Sequence, residues 1–527
     1  MDLSGAKILK VWGAGVERQI DDLRQVPRPR LGDLLGGVSV ALVLIPQSIA
    51  NAGLAGLPPI VGLFASAFPL LIFALFASSP YLQTGPVALT SLLTAGALVG
   101  AGLEPNTGDY IAAAGLLALI VGVTRFVIGL TRLGSVVYLM AEPVTIGFTS
   151  GAGLVILSSQ LSRALGAALP PEVAAYDNPI RQAVWAVANP GQWQLSAIVL
   201  SVVTLAFMLL GKRVHRLFPG VLIAVVVTLG FSRIFGYDGP VIDPVPSGLP
   251  SLNLSLPWGS LGSLLGGGVV IALIGFAEPA SIARAFASES QRRWSSSREF
   301  VASGLANMVA GVTGAYPVGG SFARSSVNKV AGAETRWSGA ITAVLVLAFL
   351  PFAFLLDGLP DAVLGAVVIG AVVSLVKPRR LWQFRTRSPW QAALAYLTFV
   401  ATLVSPPNIH YAVLLGIAVT FLLHFTRPFS LEVAQTEAGG LELRPRGLLW
   451  IGTNTTFSTR LAEAIEADDG TGLVTVSLDR STAIDSATAS ALVSAQNAAH
   501  ESGRSFAVSN TPRGADSVLA SLDVDVI

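Results

Sequence analysis

The 527-residue chain has no cysteine, only four histidines, and just 12% charged residues. Without cysteine there are no disulfides, thiolate metal sites or cysteine nucleophiles. The histidines are scattered and form no metal cluster; His410 and His424, near the ends of apolar runs, read as interfacial. There is no nucleotide-binding P-loop and no catalytic triad, so neither an ATP-driven pump nor an enzyme is expected, and no cofactor. Residues 1–30 lack an apolar core, so no signal peptide is expected there. The formal net charge of +2 says little about partners, and no nucleic acid is expected among them.

Long apolar runs fill the rest of the chain. The mean hydropathy is +0.67, and the 54 glycines and 31 prolines suit interrupted membrane helices. The sequence predicts a polytopic α-helical membrane protein. Candidate spans fall at about 33–54, 59–77, 85–100, 110–130, 135–160, 193–211, 217–235, 262–284, 298–314, 321–332, 338–356, 360–376, 389–404 and 410–427. Runs 85–100 and 321–332 are too short for a bilayer core of about 30 Å, which needs roughly 20 residues. They read as half-helices preceded by extended backbone.

Charge placement supports fourteen spans. With the N-terminal segment inside, the cytoplasmic loops hold Arg132; Lys212, Arg213 and Arg216; Arg284, Arg292, Arg293 and Arg298; and Lys377, Arg379, Arg380, Arg385 and Arg387. The opposite loops hold mostly acids, among them Glu104, Asp109, Glu172, Asp238 and Asp357, with Arg163, Arg181 and Arg233 as exceptions. This is a positive-inside pattern.

The chain also repeats. Pro46-Gln47-Ser48-Ile49-Ala50 matches Pro279-Ala280-Ser281-Ile282-Ala283, and Gly85-Pro86 falls opposite Gly319-Gly320 at nearly the same offset. The repeats cover about 31–236 and 260–428. Seven spans per half is an odd number, so the halves are inverted. Paired broken segments in inverted repeats mark secondary transporters, with the site at the repeat interface.

The glycine-rich stretch Val318 to Ser326 is the centre of this reading. A half-helix starting near Ser321 aims its N–H groups and a dipole of roughly +0.5 charge into a cavity. Arg324 in its first turn opposes that dipole, and an anionic ligand would compensate. A loop whose Arg324 pairs with a protein carboxylate is the other reading. Gly85, Val87 and Ala88 open the first half-helix and supply backbone N–H groups. Gln47 and Asn51, four residues apart on one helix face, are amides able to bond an oxyanion or a neighbouring helix. Ser321, Phe322 and Ala323 complete the candidate shell. Glu278, a carboxyl group inside an apolar run, is a candidate proton carrier or a partner for Arg324. Lys329 reads as the far end of its half-helix.

From about residue 430 the composition turns polar. A strand at 471–479, a helix from Asp485 to Glu501, a strand at 505–509 and a helix at 512–521 predict a small cytoplasmic α/β domain.

At these residues the chain resembles the SulP family of anion transporters. Val43 to Ala50 with Leu54 to Pro59 is similar to that family's opening signature. Gly319 to Ser325 is similar to its second half-helix motif. Asp479 to Ser486 is similar to the start of the STAS domain helix. The resemblance covers about residues 30–527. It implies a seven-plus-seven inverted repeat with core and gate domains at 31–428 and a STAS domain at 429–527, following the basic segment 1–30, whose Lys7, Lys10, Arg18, Arg24, Arg28 and Arg30 read as cytoplasmic. It also implies a homodimer in the plasma (cell inner) membrane and elevator-like alternating access. The family carries sulfate, bicarbonate, dicarboxylates and chloride, by symport or exchange. Its sodium-coupled bicarbonate members use an aspartate where this chain has Glu278, which favours protons over sodium here. Ser486 is followed by Ala487, a departure from phosphoswitch motifs of STAS relatives.

The reading is therefore a proton-coupled secondary transporter of a small anion such as a dicarboxylate, sulfate or bicarbonate. An exchanger, an anion channel, a membrane anion sensor signalling through its α/β domain, and a nucleobase carrier are the rivals. The last needs no Arg324.

Overall fold

Proline and glycine decide where the apolar runs of this chain stop being helix. A computed structural model describes residues 28–131, 142–174, 178–290, 294–387, 389–426, 430–435, 440–446, 451–468, 472–478 and 486–511. The segment up to residue 27, Arg132, Arg292, Arg293, the run 479–485 and the expected helix at 512–521 lie outside the described residues.

Helix α1 is Leu31–Leu54. The expected span 59–77 is divided into α2, Pro59–Ser66, and α3, Phe68–Phe76. The break falls at Ala67 (φ −95°, ψ −101°), where Pro69 has no N–H to continue the ladder. Strand β1 (Thr84–Gly85) leads into α4 (Ala88–Gly100). Then come α5 (Gly108–Leu130), α6 (Glu142–Leu165), the short α7 (Pro171–Ala174) and α8 (Pro179–Ala188). Helices α9 (Leu195–Val214), α10 (Gly220–Phe235), α11 (Leu261–Glu289) and α12 (Ser296–Val312) follow. Strand β2 (Gly319–Gly320) leads into α13 (Phe322–Val330). Helix α14 (Trp337–Phe349) continues as a 3-10 segment over Leu350–Leu356, and α15 (Asp361–Val372) likewise over Val373–Leu375. Helices α16 (Pro378–Arg387), α17 (Pro389–Val404) and α18 (His410–Thr426) complete the helical part. Among the described residues, seven helical stretches are long and apolar enough to cross a membrane.

The two half-helices exist because each follows an extended glycine-containing segment. Those segments pair with each other: β1 and β2 form an antiparallel two-stranded sheet with Thr84 opposite Gly320 and Gly85 opposite Gly319. Gly85 has φ +145°, a conformation open to glycine and closed to most L-residues. At Gly320 a Cβ would sit 2.9 Å from the Pro279 ring, so the strand comes this close to α11 only as glycine.

Helices α5 and α12 pack backbone to backbone. Gly115, Gly122 and Gly129 recur every seven residues on α5; the first two face Gly311 and Gly304 on α12, and Gly129 faces Ser297 and Val301. A Cβ on Gly122 would lie 2.5 Å from the Met308 nitrogen, and one on Gly304 2.5 Å from the Phe126 nitrogen. Small residues allow this approach where no hydrophobic effect draws helices together in lipid.

The chain divides into two compact units. The first holds Met1–Val137, Ala152–Leu375 and Leu403–His410; the second holds Tyr138–Gly151, Val376–Thr402 and Tyr411–Ile527. The second contains the C-terminal α/β fold. Its sheet has the order β3-β4-β5-β6, from Ser430–Gln435, Leu441–Arg446, Val474–Ser477 and Phe506–Ser509. The β3–β4 pair is antiparallel, and the other two pairs are parallel. Helices α19 (Ile451–Glu466) and α20 (Ser486–Glu501) pack on it around Phe457, Leu461, Val476, Leu492 and Val508. Strand β5, helix α20 and strand β6 fall where the sequence predicts a strand, a helix and a strand. The hairpin β3–β4 and helix α19 do not stand out in the sequence: each strand has only six residues, β4 contains Pro445, and α19 opens on the polar run Gly452 to Thr456.

Candidate functional site

The crossing of the two broken segments builds the site. Beyond the ladder, Ser321 N donates to the Gln83 carbonyl at 3.0 Å, and Gln83 N donates to Ser325 Oγ at 2.9 Å. Ser91 Oγ on α4 bonds Tyr316 OH at 3.0 Å, ahead of the other segment. Each half therefore satisfies the backbone that the other half's break leaves open, as a dry interior demands.

Both half-helices begin at a cavity of about 80 Å³. Val87, Ala88 and Leu89 from α4 and Ser321, Phe322 and Ala323 from α13 line it. Residues N-capping the two helices, Val87 and Ser321, are extended (φ −136° and −121°). The first N–H groups of each helix have no acceptor one turn back, and their partial positive charge faces the cavity. Ser321 Oγ caps one of them, accepting from Arg324 N at 3.4 Å.

Arg324 is 1% exposed. Its Nη1 crosses to the other half and donates to the Pro86 carbonyl at 2.8 Å. Nε and Nη2 have no hydrogen-bond partner among the described residues. A buried guanidinium with two uncommitted nitrogens at a small cavity is set up to receive an acceptor with more than one oxygen. Asn51 donates to the same Pro86 carbonyl at 3.2 Å. Gln47, Asn51 and Glu278 join the lining, and Glu278 acts electrostatically on Arg324. Phe322 is half exposed and stacks on Phe286 with ring centroids 6.4 Å apart. Lys329 pairs with Glu289 at 2.7 Å, at the far end of α13 and away from the cavity lining.

The structure thus gathers Gln47, Asn51, Val87, Ala88, Ser321, Phe322, Ala323, Arg324 and Glu278 around one cavity. Gly85 is the exception. It lies in the strand pair behind the lining, where a Cβ would be 3.5 Å from Arg324 Nη2. Glycine is required there by its φ of +145°, since a Cβ would make only ordinary contact with Arg324. The opposite wall comes from α15 and its 3-10 extension: Val367, Val368, Ala371, Val372, Ser374 and Leu375.

A second buried arginine supports the site from below. Arg125 on α5 is 0% exposed. Its Nε donates to the Ala272 carbonyl at 3.0 Å and Nη2 to Ile271 at 3.1 Å, both on α11. Nη1 donates to Ser303 Oγ at 2.9 Å and to the Val318 carbonyl at 3.0 Å, immediately before β2. Asn307 grips the same residue, accepting from Val318 N at 2.9 Å and donating to its carbonyl at 3.2 Å. Arg125 and Asn307 hold the second broken segment in place. The sequence carries a signal for Arg125, a charge inside the apolar run 110–130.

Solved structures share this fold. A structure of SLC26A9 aligns with a TM-score of 0.70 at 18% identity, covering 94% of this chain and 86% of that one. The transmembrane domain of the cyanobacterial bicarbonate transporter BicA aligns with a TM-score of 0.60 at 23% identity, covering 74% of this chain and 96% of that one. The class is a helical membrane transporter fold. Residues 31–398 match the sulfate permease family, and the chain belongs to it. Among its relatives, "Sulfate transporter 4.1, chloroplastic" of Arabidopsis thaliana is 32% identical over 74% of this chain and 58% of that one. "Probable sulfate transporter Rv1739c" of Mycobacterium tuberculosis is 33% identical over 78% of this chain and 72% of that one. The chain thus spans little more than half the length of the plant relative.

Proposed function

We propose that this chain is a secondary active transporter of a small anion, with sulfate, bicarbonate and a dicarboxylate as the candidate substrates. The carrying observation is the pair of free nitrogens on buried Arg324 at a cavity where two half-helices begin. The anion accepts from Nε and Nη2 of Arg324 and from the first N–H groups of α4 and α13. Gln47 and Asn51 complete its shell. The cavity's volume suits an ion of few heavy atoms, and the paired strands keep the positive ends together as it binds and leaves.

Glu278 carries the coupled proton. Protonated, it lets the divalent form of an anion enter beside it; ionised, it favours release. The fourteen spans expected from the sequence form two inverted sets of seven, divided into core and gate. The core, carrying both half-helices, moves against the wall made by α15 in an elevator-type cycle. The α/β fold is a STAS domain in the cytoplasm, as is the N-terminal segment, and the protein is a homodimer of the plasma membrane. Relatives named as sulfate transporters support the substrate class.

The test is uptake of labelled sulfate, bicarbonate and fumarate into proteoliposomes, with and without an inward-acid gradient. The wild type accumulates at least one of them uphill, and Arg324→Ala does not. Full-rate uptake by Arg324→Ala would remove Arg324 from the mechanism. Anion currents without uphill accumulation would make the protein a channel.

A further inference from the structure

Helix α16 presents a basic, tryptophan-bearing face with no partner of opposite charge among the described residues. Residues 362–431 contain no aspartate or glutamate, yet Lys377, Arg379, Arg380, Arg385 and Arg387 crowd into and just ahead of this one helix. Its other face is anchored. Leu381 and Phe384, three residues apart, are buried against Ile146, Ala392 and Ala395. Tyr396 OH donates to the Leu381 carbonyl at 3.3 Å, and Lys377 N donates to Ser150 Oγ at 3.2 Å. These contacts fix the helix's rotation. They leave Arg379, Arg380 and Arg385 exposed, with Trp382 62% exposed and Trp390 51% exposed. The Arg385 guanidinium lies 4.9 Å from the Trp382 ring centroid. Among the described residues, no carboxylate pairs with Arg379, Arg380 or Arg385.

We infer that this face binds the headgroups of anionic phospholipids in the cytoplasmic leaflet. The inference rests on the topology proposed above, in which the chain on either side of α16 crosses the bilayer. Connected that way, the helix is confined to the membrane surface, where the negative leaflet attracts basic residues. Guanidinium groups match phosphate oxygens in a two-pronged geometry. Tryptophan favours the headgroup level, where its ring is half in and half out of the apolar phase. Held 4.9 Å from the centre of the Trp382 ring, Arg385 keeps its guanidinium exposed and available to a phosphate. Charge, aromatic content and a fixed rotation all suit one occupant, a diacyl lipid with an anionic headgroup.

The test uses the full-length protein in mixed micelles and counts retained phosphatidylglycerol against phosphatidylcholine by native mass spectrometry. The wild type retains phosphatidylglycerol selectively, and free glycerol 3-phosphate does not displace it. The triple variant R379Q/R380Q/R385Q binds phosphatidylglycerol at least about tenfold more weakly. The triple lysine variant, with the charge kept, stays within about threefold of wild type. If the glutamine triple fails to fold, each single glutamine variant is measured and weakens binding several-fold. Unchanged binding in the glutamine variants, or displacement by free glycerol phosphate, would overturn the inference. The readout does not involve transport. A protein that binds lipid without uptake sinks only the transport reading, and one that transports without lipid preference sinks only this one.

Discussion

Arg324 and Asn51, from opposite halves of the chain, donate to one oxygen: the Pro86 carbonyl receives Nη1 at 2.8 Å and Nδ2 at 3.2 Å. Pro86 has no N–H and directly follows β1, two residues before α4 begins. Sharing its carbonyl fixes Arg324 while leaving the other two guanidinium nitrogens for a ligand.

Removing Asn51 therefore loosens Arg324 without removing charge. Asn51→Ala is expected to raise the KM for the transported anion about five-fold, the worth of roughly 1 kcal/mol of hydrogen bonding, with kcat nearly unchanged. Initial uptake rates across a substrate series check this; an unaltered KM means Asn51 only ties two segments together.

Arg125→Met removes the buried guanidinium's bonds to the Ile271, Ala272 and Val318 carbonyls and to the Ser303 hydroxyl. Hydrogen bonds to a charged group are worth about 1.5–3 kcal/mol each, so the thermal midpoint in detergent should fall by about 10 °C. Arg125→Lys keeps a cation with fewer donors and should fall in between. A Met variant as stable as wild type would show that the clamp is dispensable.

Glu278→Gln fixes the neutral form of the proposed proton site. Uptake should lose its response to an inward-acid gradient while exchange of internal for external anion persists. Fluorescent pH reporting inside the vesicles reads the coupled proton directly. Unchanged dependence on the gradient would assign coupling elsewhere.

The α5–α12 contact is predicted to tolerate nothing larger than hydrogen at Gly122. Gly122→Val must push the Met308 backbone aside, since even a Cβ would lie 2.5 Å from its nitrogen. A lower melting temperature and a broad size-exclusion profile are expected. Gly262→Ala is the control, because nothing lies within 4 Å of a Cβ there.

The broken segments were readable because glycine and proline interrupt apolar runs at one offset, and the structure pairs those same residues as strands. Arg324 and Glu278 were readable as charges among apolar neighbours. Arg125 satisfies the same criterion, but it sits in a helix of mean hydropathy 2.3 whose other residues give no sign of a site. The wall formed by Val367, Val368, Ala371 and Val372 left no trace in the sequence. Aliphatic residues on one more apolar helix look alike whether they face lipid, a neighbouring helix or a cavity. Helix α16 read as a basic loop because only Leu381 and Phe384 hold it down, and two anchors in ten residues give too weak a period to mark a helix.

The pairing of Thr84 with Gly320 has a consequence for biosynthesis. Once β1 has left the ribosome, its open edge must wait for more than two hundred further residues before its partner is made. Until then its main chain lacks the acceptors and donors that the finished fold gives it. The cavity between the half-helices thus comes into being only when residue 320 arrives.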